Sequence, residues 1–515
     1  MIDEFKPKER KVIPNWRYFE NTLALGELDY YKTIEKQKNQ LYPIDDYIST
    51  WLDKSSLYTA GDLISSAISN SQLKNPHVLD AAKYILKKAD KQNYAIINSA
   101  NFILENNGQF KQEIERLDND ALLKLENVQD VAQRIHELRL RLHAYPFNSF
   151  IYVDIARAYI SIGQKRKAEN MIKTALYLAP NNRFVTRSAC RLYVHLEEFD
   201  KAYDVLRHNS STKHDPWLMS AEITIKMLMG RMSNYIKEGK RIVESRSFTP
   251  YSITELSSTL ATIEMYNGTR KKSRDLFNIS LIAPNDNSLA QAQFAAAKSI
   301  PIFVDESKYA LKCDYEVKTF NALQSGDFKL AMSNIVDWIC DMPFSHKPIL
   351  LGSNIASTYL QDYNLSAKIL EVGKKADIRN PIILNNLSYS YARLDDIFHA
   401  EEIMSVLQKI DTSDLSDSMK VCIPATQGII AFRKKDFETG RKKYEEAINL
   451  AEKNKEKDPI TYSKAWINYM REELIATGNN KDMIDRKLAS LPDLQNPGLK
   501  NLIAEIRTIM NEKRQ

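Results

Sequence analysis

The chain superimposes on itself when shifted by 34 residues: Tyr159 meets Tyr193, Ala168 meets Ala202, and Ile172 meets Leu206. The loop Leu178-Ala179-Pro180-Asn181-Asn182 recurs, about three periods later, as Ile282-Ala283-Pro284-Asn285-Asp286. A fixed period of this size marks stacked helical hairpins, each of which buries its apolar face only against its neighbours. Only 14 Gly and 17 Pro in 515 residues are too few for a turn-rich β protein. The length also exceeds what one compact core sustains. Both observations predict an all-α chain of repeats.

The unit beginning at Ser149 carries Tyr152, Ile155, Ala156, Tyr159, Gly163, Ala168, Ile172, Ala175 and Pro180. The next, from Arg183, carries Ala189, Cys190, Tyr193, Ala202 and Leu206, with Thr186 where a large residue stood before. Small residues suit the points where two helices cross closely, large ones fill the facing holes, and proline ends the second helix. In these positions the chain resembles the tetratricopeptide repeat family, in its bacterial multi-repeat form. Looser units follow the same offsets: Pro381, Leu384, Leu387, Ser388, Tyr391, Ala400, Met404 and Leu407; then Gly428, Gly440, Tyr444 and Ala447. Gly326 with Ala331, and Gly268 with Ser273, fit the inter-helix turn and the small slot of two more. The resemblance implies a right-handed superhelical solenoid of antiparallel helix pairs whose first helices line a concave surface.

The expected organisation is an extended N-terminal arm (1–30), degenerate helical repeats (31–145), a first superhelix (146–298), a junction (299–318), a second repeat stretch (319–478) and C-terminal capping helices (479–515). Pro7 and Pro14 oppose helix in the arm. Trp16 and Arg17 are its candidate docking residues, either for a partner or for the arm folding back to cover the first helix pair.

Chemistry is hard to place on this chain. Cys190, Cys313, Cys340 and Cys422 are scattered, with no C-x-x-C, which speaks for free thiols in a reducing compartment. There is no H-E-x-x-H, no phosphate-binding glycine loop and no nucleophile elbow. His136 and His143 share a helical face with Arg134, Arg139 and Arg141, which would repel a cation. No catalytic, cofactor or metal residue is assigned, and the expectation is a protein that is not an enzyme. The N-terminus lacks an apolar leader and no stretch is long enough to span a bilayer, so the expected location is the cytoplasm.

The resemblance also implies which side chains face the groove. It maps Phe150, Val153, Asp154, Arg157, Ile160 and Ser161 there from the first unit. From the second it maps Phe184, Arg187, Ser188, Arg191, Val194 and His195, and from the unit at Pro381 it maps Asn385 and Asn386. Arginines beside phenylalanines suit an acidic or extended polypeptide, so the leading expectation is a scaffold or adaptor holding a protein partner. The net charge of +6 also permits a nucleic-acid-binding solenoid, with Arg134, Arg139, Arg141, Arg157, Arg187 and Arg191 as one stripe. A peptide- or effector-sensing regulator is the third reading, by analogy of fold. A homo-oligomer is compatible with all three.

Overall fold

The computed structural model describes residues 8–19, 44–69, 72–89, 94–105, 125, 131–245, 247–309, 311–411, 415–478, 481–492 and 495–512. The ends of the expected arm (1–7 and 20–30) and much of the early repeats (31–43, 106–124 and 126–130) lie outside these residues. Among the described residues there are 25 α-helices and no strand. The chain divides into two compact units, one from Pro7 to Val317 and one from Lys318 onward.

The first unit opens with α1 (Ile44–Asp53), α2 (Leu57–Ser69), α3 (Pro76–Lys88), α4 (Tyr94–Glu105) and α5 (Val131–Ala144). Regular pairs follow: α6 (Ser149–Ser161) with α7 (Lys165–Leu178), α8 (Arg183–His195) with α9 (Phe199–His208), and α10 (Pro216–Leu228) with α11 (Ile236–Ser245). Then come α12 (Thr254–Tyr266) with α13 (Arg270–Ser280), α14 (Asp286–Ala297), and the start of α15 (Tyr315–Ser325). In the second unit α15 is followed by α16 (Phe328–Asp341), α17 (His346–Asn354) running into a π-turn at Ile355–Tyr359, and α18 (Tyr363–Ala376). The rest comprises α19 (Pro381–Arg393), α20 (Ile397–Leu407), α21 (Asp417–Arg433), α22 (Phe437–Glu452), α23 (Pro459–Thr477), α24 (Lys481–Ala489) and α25 (Pro497–Glu512).

One backbone device closes each hairpin. A single residue with positive φ stands in the turn after the first helix of every regular pair: Gly163, Glu197, Gly230, Gly268, Gly326, Asp395 and Lys435, with Ser299 and Gln361 in the corresponding places after α14 and the π-turn. The amide of the following residue then bonds the carbonyl five positions back, as in Gln164 N to Tyr159 O at 2.9 Å and Glu198 N to Tyr193 O at 2.9 Å. This satisfies helix-end carbonyls and reverses the chain within a few residues. At the π-turn the extra residue moves the acceptor back by one, so Asp362 N bonds Ala356 O at 2.8 Å. At Gly268, where φ is +78°, an added Cβ meets no atom within 4 Å. Gly268→Ala therefore isolates the backbone cost, and urea unfolding should read a loss of about 1–2 kcal/mol.

The core runs as overlapping triplets. One cluster joins Cys190 and Tyr193 of α8, Ala202 and Leu206 of α9, and Leu218 and Ile225 of α10. The next takes Met219 and Ile223 of α10, Ile242 and Val243 of α11, and Leu256 and Leu260 of α12. A third links Ala261 of α12, Phe277 of α13 and Leu289 of α14. Each cluster thus uses both helices of one pair and the first helix of the next, which is how tetratricopeptide-like pairs share a core. Ala156, Ala168 and Ala175 are fully buried in α6 and α7, where a larger side chain would separate the helices.

Burial pushes the Cys190 thiol up to about 12, so almost none is thiolate near neutral pH. A thiol reagent at pH 8 should label it only once the unit unfolds, which mass spectrometry with and without urea would read. No described helix is long and apolar enough to cross a membrane.

Candidate functional site

The first helices α6, α10, α12 and α14 bury most of their side chains, polar ones included. In α12 every residue from Thr254 to Thr262 is buried, and in α10 every residue from Pro216 to Ile225. Hydroxyls and amides bond from helix to helix: Ser220 to Thr259 at 2.9 Å, Thr254 to Ser288 at 2.8 Å, and Gln291 Nε2 to Thr262 Oγ1 at 3.0 Å. Such a face buries polar groups at low cost where they find a partner, as these do, whereas Thr224 Oγ1 and Ser257 Oγ are buried without one.

The arm covers this face. Residues 8–18 form neither helix nor strand, yet Val12, Pro14, Trp16, Arg17 and Phe19 are buried. Contacts among the described residues hold the arm's backbone. Gln291 Nε2 donates to Arg10 O (3.0 Å), Asn287 Nδ2 to Ile13 O (2.8 Å) and Arg157 Nε to Trp16 O (3.1 Å), while Phe19 N donates to Asp154 Oδ1 (2.9 Å). The three carbonyls recur every third residue. A groove that grips main-chain carbonyls recognises an extended chain irrespective of its side chains.

Side-chain sockets add selectivity. Arg10 donates twice to Glu316, from Nε and Nη2, both at 3.0 Å, and also bonds Gln291 (2.9 Å) and Asn287 (3.1 Å). Arg17 Nη2 lies 2.6 Å from Asp286 Oδ2, and Asn15 Nδ2 bonds both oxygens of the same carboxylate. The Phe19 ring stacks on Phe150 with centroids 4.2 Å apart and meets Phe184 edge-on at 5.2 Å. Tyr18 lies beneath two guanidiniums, Arg157 at 4.1 Å and Arg134 at 5.0 Å. The cavity under Phe19, between Asp154, Arg141 and Leu138, has a volume of about 30 Å³, on the scale of a single water.

The structure thus brings Phe150, Arg157 and Phe184 together, against the chain's own arm. Trp16 is fully buried and Arg17 is 2% exposed. The arm lies over α6, α8 and α14 and reaches α15, far beyond the first helix pair. Arg187 is committed elsewhere: it lies 2.9 Å from Glu255, donates to Trp217 O at 3.2 Å and sits over the Trp217 ring. Glu255 in turn accepts from Asn285 and Asn287, which ties Arg187 to the arm through two intermediaries. Desolvation pulls the Arg191 guanidinium down to about 10, and it stays charged at neutral pH. His195, like Arg191, is partly buried at the end of α8.

The segment seated in the groove brings arginines, and carboxylates receive them. Of the stripe proposed for nucleic acid, Arg134 faces Glu137 at 3.5 Å, Arg141 bonds Ser65 at 3.1 Å, and Arg139 donates to the Tyr159 hydroxyl. Arg157 and Arg187 are held as described above. Arg10, Tyr18, Phe19, Glu255, Asp286, Asn287, Gln291 and Glu316 escaped the sequence reading. A signal for Asp286 was the recurring loop, Pro180-Asn181-Asn182 and Pro284-Asn285-Asp286, which places it at a helix start.

In the second unit Asn385 is 3% exposed and its amide donates to Asn386 Oδ1 at 3.3 Å. Along the stripe from Asn386 come Tyr389 and Arg393, and here α25 lies across the helices. Arg393 Nη2 bonds Glu505 of α25 at 2.6 Å, and its guanidinium lies over the Tyr363 ring at 4.1 Å. Asn501 of α25 donates to Tyr359 O at 2.9 Å beside the π-turn. The approach is tight enough that a Cβ on Gly498 would sit 2.6 Å from Thr358 Cγ2. No cluster of three or more His, Cys, Asp or Glu able to hold a metal ion occurs among the described residues.

No family model and no curated protein matches the chain. Among solved structures it is similar to yeast Tom70, at 10% identity over 89% of this chain and 96% of that one, with a TM-score of 0.28. A second is the APC/C hetero-tetramer Cut9–Hcn1, at 12% identity over 88% and 100%, with a TM-score of 0.30. A third is Naa15/Naa10 bound to HypK-THB, at 13% identity over 95% and 88%, with a TM-score of 0.25. The helix pairs are tetratricopeptide-like by their own turns and shared cores.

Proposed function

We propose that the chain is a non-enzymatic scaffold or adaptor of the cytoplasm that holds a protein partner through an extended segment in the groove of its first unit. The observation that carries this reading is the arm, whose backbone is gripped at Arg10, Ile13, Trp16 and Phe19 by side chains of α6 and α14. A face built to hold an extended chain is a face for polypeptide, and a partner would enter by displacing the arm. Arginines already engaged with carboxylates, hydroxyls and rings weigh against nucleic acid, which needs cations to spare for phosphates.

Affinity purification of the intact chain and of its Arg10→Glu variant tests the reading. The substitution sets a carboxylate against Glu316 and loosens the arm without removing core atoms. One polypeptide should co-elute at a fixed ratio and be enriched with the variant. Retention of RNA or DNA that collapses with added salt would favour the nucleic-acid reading instead. If neither chain retains any polypeptide above an untagged control, the scaffold reading is wrong.

A further inference from the structure

We infer that the segment this groove accepts from another protein is basic and aromatic, with two arginine-like cations about seven residues apart and the second followed closely by aromatic rings. This rests on the groove reading above and deepens it by naming the chemistry of the ligand. The arm is a bound example. Its first cation, Arg10, enters a socket of Glu316, Asn287 and Gln291, in which the guanidinium makes four bonds of 2.9–3.1 Å. Its second, Arg17, has a side chain only 1% exposed and meets Asp286 at 2.6 Å. The ring of Phe19 fills the gap between Phe150 and Phe184.

Both receiving carboxylates are themselves shielded, with side-chain exposures of 16% for Glu316 and 12% for Asp286. A partly desolvated carboxylate that loses its cation is costly, so whatever replaces the arm must bring positive charge to the same two places. Planar sockets with several acceptors favour guanidinium over ammonium. An acidic segment would put like charges together at both sockets and would leave the Phe150–Phe184 gap unfilled.

The donor is a different protein rather than a second copy of this chain. Exchanging arms between two copies would replace each contact by the same contact and add the entropic cost of association, so it gains nothing.

The test uses the full chain carrying Trp16→Ala and Phe19→Ala, which weakens the arm in place, and a fluorescent synthetic peptide of residues Lys8–Phe19. Anisotropy should show the peptide binding this variant at least about tenfold more tightly than it binds the unsubstituted chain, where the tethered arm competes. A peptide with Arg10→Glu and Arg17→Glu should bind about tenfold more weakly or worse. Introducing Glu316→Arg into the variant chain should restore part of the binding of a peptide carrying Arg10→Glu alone. Should the doubly substituted chain fail to fold, Arg10→Glu in the full chain serves in its place.

If the charge-reversed peptide binds as well as the native one, the basic chemistry is wrong while the groove reading stands. If no peptide of either charge binds a loosened chain, the groove reading itself fails. If the loosened and unsubstituted chains form a stable dimer on mixing, the donor is a second copy and the choice of a different protein is overturned.

Discussion

Replacing Glu472 with alanine should destabilise the second unit by about 3–5 kcal/mol. Glu472 is 1% exposed on α23, where its carboxylate serves two guanidiniums. Arg471 approaches Oε1 with Nε at 2.8 Å and Nη2 at 2.7 Å, and Arg433 approaches Oε2 with Nε at 3.0 Å. Arg471 is equally buried, and its next carboxylate, Glu505, stands 3.8 Å from Nη1, too far for a hydrogen bond. Alanine would leave the Arg471 charge without its main partner in a dry place. Removing charge from both sides, as in Arg471→Met with Glu472→Leu, should cost far less, because no ion is then stranded. Urea unfolding of the single and double variants separates the cases. A single-variant loss under about 1 kcal/mol would mean that water reaches the pair and screens it as on a surface.

Trp16→Ala should release the arm rather than unfold the helices around it. In a fixed core, removal of a large aromatic costs about 3–5 kcal/mol. Trp16, however, belongs to residues 8–18, which form neither helix nor strand, so the protein escapes most of that cost by letting residues 8–19 leave the groove. The loss is then capped at the docking free energy of the arm. Hydrogen exchange should show the amide of Phe19, now bonded to Asp154, exchanging at the rate of an unstructured peptide. Amides within α6 and α8 should keep their protection, since their hairpin turns do not involve the arm. If the Phe19 amide stays protected, the Arg10 and Arg17 sockets with the Phe19 stack hold the arm alone, and adding Phe19→Ala should free it.

The helical repeat was legible where its packing code is strict. Ala156, Ala168, Ala202 and Leu206 are fully buried at the spacing that betrays them in sequence. The number of hairpins was not, and the reason lies in the turns. Glycine marks the left-handed residue at 163, 230, 268 and 326, but Glu197, Ser299, Gln361, Asp395 and Lys435 take the same conformation without announcing it. The π-turn at Ile355–Tyr359 adds a residue that breaks the period there. Sequence could indicate which residues of α6 and α8 share a face with Phe150 and Phe184. It could not say that a segment more than a hundred residues earlier lies on that face, because a proline-broken run of mixed charge looks alike whether it binds or drifts. The acids that receive the arm were hidden for the same reason: Arg157 and Arg187 stand out in the sequence, whereas Asp286 and Glu316 sit in helices with no clear repeat signature.

Arg10 and Glu316 are joined across 306 positions of the chain. During synthesis the arm leaves the ribosome well before the last wall of its own socket has been made. Through that interval it can be seated only partly, on α6 and α8, and its arginines travel without their acids. Full docking therefore closes the folding of the first unit, and a nascent chain stalled before α14 would present Arg10 and Arg17 to whatever chaperone or partner is near.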